Sequence, residues 1–130
     1  MAGFIPHVYG DGKVDGWVHL GAAAGTYNVG MALTLTSGNL TKASGTTKPT
    51  HICMTKKTVA TAGEVIAAIP VDPTTEFAVE LTAAVSGLTA GSAAGISSDG
   101  MSLVANADGA FKVVSASGTA IGSTAIGKFA

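Results

Sequence analysis

His51 and Cys53 stand two residues apart, so on an extended strand both side chains leave the same face. A thiol beside an imidazole is the beginning of a nucleophilic site, but that chemistry also needs an orienting group and oxyanion donors. The neighbours Ile52 and Met54 are apolar and supply neither. Cys53 therefore reads as a buried structural cysteine. His7, His19, His51 and Cys53 carry metal-binding atoms, yet the tight C-x-x-C and H-x-x-x-H spacings of zinc sites are missing. Asp11-Gly12-Lys13-Val14-Asp15-Gly16 has a partial likeness to a calcium loop, with Lys13 where an oxygen ligand belongs and no bidentate glutamate. Gly10-Asp11-Gly12 lacks the third glycine of a dinucleotide loop, and no Gly-Lys-Ser or Gly-Lys-Thr occurs. The reading is a chain with no catalytic residues, no metal site and no cofactor, and not an enzyme.

The charged residues extend that reading. They make up only 12% of the chain, about half the usual share. Residues 1–65 hold five lysines against Asp11, Asp15 and Glu64, a net of +2. Residues 66–130 hold Lys112 and Lys128 against Asp72, Glu76, Glu80, Asp99 and Asp108, a net of −3. Lys42, Lys48, Lys56 and Lys57 fall in a stretch free of acids, but there is no arginine to read base edges and no aromatic interleaving to stack bases. A nucleic-acid partner is not expected. No apolar run approaches the ~18–20 residues of a spanning helix, so no membrane role is expected either. The opening Met1-Ala2-Gly3-Phe4-Ile5-Pro6-His7 has no basic patch followed by an apolar stretch, which argues against a signal peptide. Cys53 is the sole cysteine, which excludes an internal disulfide and suits a reducing cytoplasm.

The elements that must position these residues are strands. Met31 to Thr36 meets the turn Ser37-Gly38-Asn39 before Leu40-Thr41, a hairpin signal. His51 to Thr55 and Glu64 to Ile69 are short strand candidates, the second ending at Pro70. Thr75 to Leu81 is the clearest element, with Phe77, Val79 and Leu81 on one face and Glu76 and Glu80 on the other. Turn signals at Ser98-Asp99-Gly100, Ala107-Asp108-Gly109 and Ser117-Gly118 separate strands near 101–105, 111–115 and 125–129. Leu20 to Ala24 and Ala83 to Val85 are long enough for a single helical turn each, not for a helix. The expected fold is all-β, a single small barrel or sandwich of short antiparallel strands.

Residues 1–28 read differently. They hold Phe4, Tyr9, Trp17 and Tyr27, over half of the aromatics, among glycines that include Gly10, Gly12, Gly16, Gly21 and Gly25, and without sustained periodicity. The expected organisation is an extended docking arm over 1–28 and a β-domain over 29–130.

The succession Thr61-Ala62-Gly63-Glu64-Val65-Ile66, Leu88-Thr89-Ala90-Gly91 and Asp99-Gly100-Met101 continues into Phe111-Lys112-Val113-Val114-Ser115. It ends on Gly118-Thr119-Ala120-Ile121-Gly122-Ser123 and Gly127-Lys128-Phe129. It resembles bacteriophage capsid cement, or head-decoration, proteins. The opening Phe4 to Gly10 with Gly16-Trp17 is similar to the start of such proteins from phages of Gram-positive hosts. The resemblance implies a small β-barrel made in the host cytoplasm that binds the major capsid protein on the outer surface of the virion. It also implies a homo-oligomer, a trimer foremost. Under this reading the contacts are expected on Phe4, Ile5, Tyr9 and Trp17, with packing on the protein's own barrel as the alternative. The competing functional class is a carbohydrate-binding or adhesive module, for which Trp17 with Asp15 and Tyr27 with Asn28 are the only aromatic–polar pairs on offer.

Overall fold

A computed structural model describes residues 3–8 and 18–130, with the backbone alone at His7 and Val8. The described residues are all-β and contain no helix. The first strands are β1 (Phe4–Val8), β2 (Val18–Gly21), β3 (Gly25–Tyr27), β4 (Ala32–Thr36), β5 (Asn39–Lys42), β6 (His51–Cys53) and β7 (Lys57–Val59). They are followed by β8 (Val65–Pro70), β9 (Glu76–Glu80), β10 (Ala93–Ile96), β11 (Leu103–Ala105), β12 (Phe111–Ala116) and β13 (Thr124–Phe129). All ladders between them are antiparallel.

The strands form three layers. A six-stranded sheet runs in the order β1-β9-β13-β12-β10-β11, and a five-stranded sheet in the order β2-β8-β6-β4-β5. The main core lies between them, with Phe77, Val79, Phe111, Val113 and Phe129 facing Ala32, Ile52 and Ile69. The ribbon β3-β7 makes the third layer. A second core of Tyr27, Leu33, Leu40, Cys53, Val59, Ile66 and Ala68 joins it to the five-stranded sheet. The five-stranded sheet is thus buried on both faces, which explains the unbroken apolar run of β8. Ile66 and Ala68 belong to one core and Ile69 to the other, following the two-residue period of a strand.

The hairpin expected at residues 31–41 is β4-β5, turned by Ser37 and Gly38 at φ of 50° and 85°. Two successive positive φ values match the right-handed twist of the flanking strands, as primed turns do. The expected helical turns are absent: Leu20 lies in β2, and 83–85 is irregular.

Of the segment read as a docking arm over 1–28, the described residues 3–8 and 18–28 join the same ladders. β1 is an edge strand of the six-stranded sheet, paired with β9 from Phe4↔Val79 onward. β2 is an edge strand of the five-stranded sheet, and β3 supplies half of the ribbon. The segment looks aperiodic because it visits three sheets in succession, giving each only a few residues. Its entry is fixed by a backbone crossing that only glycine allows. Gly3 has φ of 123° and Gly30 φ of 90°, and a Cβ on Gly30 would sit 2.8 Å from the Gly3 Cα. The Phe4 amide then donates to the Gly30 carbonyl at 2.8 Å. At the other side of the sandwich, Gly45 and Ile96 exchange two backbone hydrogen bonds and stitch the sheets together.

Candidate functional site

Phe4 is completely buried and meets the rings of Phe111 and Phe129 at centroid distances of 5.7 and 5.1 Å. Phe129 also contacts Phe111 at 5.2 Å and Phe77 at 5.4 Å, so all four phenylalanines form one tilted, edge-on cluster with Phe129 at its centre. For Phe4 the structure shows the alternative held open beside a partner contact, packing in the protein's own core. Ile5, the next residue, points the other way and is 44% exposed. Tyr9 and Trp17 lie outside the described residues.

His51 and Cys53 share the strand face expected of them, but not a site. The Cys53 thiol is fully buried in the second core and donates to the Thr55 carbonyl at 3.0 Å. Burial pushes its pKa up, against the thiolate a nucleophile needs. The half-buried His51 ring pairs through Nδ1 with the Thr50 hydroxyl at 2.8 Å, and burial lowers its pKa. Among the described residues no group of three or more His, Cys, Asp or Glu side chains is placed to hold a metal ion.

The buried polar groups are structural. Ser102 is fully buried, donates to the Glu80 carbonyl at 2.9 Å and accepts the Thr82 amide at 3.1 Å. It thereby ties the β10–β11 loop to the end of β9. The Asp72 carboxylate accepts from the amides and hydroxyls of both Thr74 and Thr75. Those hydroxyls, with the two amides, hold its pKa at about 2 and build the turn that launches β9.

An open cleft of about 740 Å³ is lined by Ser86, Gly91, Ser92, Ala93, Asn106 and Lys112 among others. Lys112 is the sole ionisable side chain on its wall, and its ammonium already donates to the Gly109 carbonyl at 2.9 Å. One cation among small neutral groups cannot run acid–base chemistry. The Tyr27–Asn28 pair also fails as a sugar platform. Tyr27 is buried, and its hydroxyl donates to the carbonyls of Ala23 and Leu40 at 2.7 and 3.3 Å.

What the fold does present is a bare sheet face. The outer face of the five-stranded sheet lies under the β3-β7 ribbon, whereas no described element covers that of the six-stranded sheet. Across it the registers Ile5↔Ala78, Ala78↔Ile126 and Ile126↔Ser115 set one level row on β1, β9, β13 and β12. A bulge at 113–115 turns Val114 outward together with Ser115, leaving Val114 44% exposed. Val104 on β11 is a further exposed apolar side chain on this face. Lys112 and Lys128 are paired beside the row, and Glu76 and Glu80 flank it on β9. Sequence reading placed the glutamates on the polar face correctly. It missed the row, because four residues from four strands are level only once the register and the bulge are known. Comparison with protein-family models, with curated proteins and with solved structures finds no match for this chain.

Proposed function

We propose that this chain is a structural virion protein that binds the outer surface of a bacteriophage capsid and stabilises the shell as a homo-oligomeric decoration or cement protein. The observation that carries the reading is the ordered succession of turn-and-strand motifs that resembles such proteins, from the Phe4 opening to Gly127-Lys128-Phe129. In the fold these motifs become β1, β8, β12, β13 and the turns beside them, distributed over both main sheets. A small, sparsely charged β-sandwich with a bare sheet face suits a protein that works by covering surface. The buried, protonated Cys53 suits synthesis in the reducing host cytoplasm.

Of the four residues expected to make the contact, Phe4 packs in the protein's own core, and Ile5 is exposed on the sheet face. The shell contact we propose is made by Ile5 together with Tyr9 and Trp17. The reading is tested by heating DNA-filled heads of phages from Gram-positive hosts with and without the purified protein. Addition of the protein raises the temperature at which DNA escapes from the cognate head. Unchanged release for every head tried counts against it.

A further inference from the structure

We infer that the outer face of the six-stranded sheet is a self-complementary interface for a second copy of this chain, packed face to face about a two-fold axis. This goes beyond the capsid-binding reading and does not rest on it. A two-fold axis parallel to the strands and lying between β9 and β13 keeps every level row level. Residues that are cross-strand neighbours within one sheet then become opposed partners across the interface.

The registers say what this brings together. Ala78 and Ile126 are level, so each Ile126 sits over the small Ala78 of the other copy, twice. Ile5 is level with Ala78, and Ser115 with Ile126, so each Ile5 meets the small Ser115 of the other copy. The row alternates large and small in the order that lets two copies interdigitate. The next step beyond Gly127↔Phe77 sets Lys128 level with Glu76, so each Lys128 ammonium faces a Glu76 carboxylate of the second copy. In the opposite direction Glu80 faces the hydroxyl-bearing Thr124. The charged groups that β9 carries on this face are all carboxylates, and those on β12 and β13 are all ammonium groups. A lattice protein or a membrane gives no reason for that division, but a rotated copy of the same face does. The face fits an isologous pair, not the threefold arrangement that the resemblance implies. In such a pair Ile5 meets the second copy, and of the proposed shell contact Tyr9 and Trp17 remain.

Sedimentation velocity of the full chain across a concentration series tests this, with E76K and K128E as variants. The wild type dimerises reversibly, and each variant alone, which opposes like charges twice, associates at least about tenfold more weakly. An equimolar mixture of the two variants recovers a dimer of one chain of each kind, because every opposed pair is again of unlike sign. A purely intrachain effect of either substitution cannot produce that recovery. A wild type that stays monomeric at all concentrations overturns the proposal. So do variants that associate like the wild type, or a mixture that does not recover. Should a charge variant fail to fold, Ala78→Gln, which fills the space opposite Ile126, replaces it: loss of the dimer is expected, and its retention overturns the proposal.

Discussion

Replacing Phe129 by leucine separates aromatic geometry from simple burial. Phe129 and Phe77 are both fully buried, so the same substitution removes a similar apolar area at each. They differ in ring contacts: Phe129 meets three rings at 5.1, 5.2 and 5.4 Å, whereas Phe77 meets Phe129 alone. Each aromatic pair contributes about 0.5–1.5 kcal/mol beyond its area, and leucine recovers part of the dispersion. Phe129→Leu should therefore cost about 2–3 kcal/mol, and Phe77→Leu about 1 kcal/mol. With roughly 2.1 cal/mol/K of unfolding entropy per residue, 1 kcal/mol corresponds to about 4 °C in this chain. The expected falls in Tm are then about 7–11 °C and about 4 °C. Urea unfolding followed by far-UV circular dichroism checks the free energies, with an unchanged m-value as the sign that the unfolded state is not altered. Equal losses at the two positions would refute the assignment of Phe129 as the centre of the cluster.

Acid sensitivity should follow Asp72. Its folded pKa of about 2 lies below the ordinary aspartate value, so its contribution is fully present above about pH 4 and is lost as pH falls towards 2. Because the carboxylate is largely exposed, solvent screening leaves about 1 kcal/mol. The stability gap between the wild type and Asp72→Ala should close across that window, whereas a gap independent of pH contradicts the hydrogen-bonded turn. Gly30→Ala should destabilise by more than about 2 kcal/mol, since φ of 90° and the Gly3 backbone both oppose a Cβ; a near-neutral melting curve would show that the crossing relaxes. Cys53 should resist a maleimide in the native protein and react promptly in urea, and fast native labelling would contradict its burial and raised pKa.

Much of the fold is legible in short runs. Thr75 to Leu81 alternates cleanly because one face of β9 meets the core and the other meets solvent. The β4-β5 hairpin is announced by Ser37-Gly38. β10, by contrast, is Ala93-Ala94-Gly95-Ile96, with too little side chain to show a period. β3 and β7 are three residues each and gain stability only as a lid on the second core. The role of Phe4 was hidden for a similar reason. Nothing local distinguishes a phenylalanine that docks on a neighbour from one that completes a cluster with residues more than seventy positions away. The burial of Cys53 was visible in its apolar neighbours Ile52 and Met54. The bare, charge-divided sheet face was not, because it depends on register.

The most direct measurement of the capsid-binding reading is co-sedimentation of the purified protein with empty phage heads, followed by electron microscopy of the pellet. Saturable binding at regular lattice positions, weakened by about 2 kcal/mol or more in Trp17→Ala, is the expected result. Failure to bind any of several heads from phages of Gram-positive hosts would contradict it.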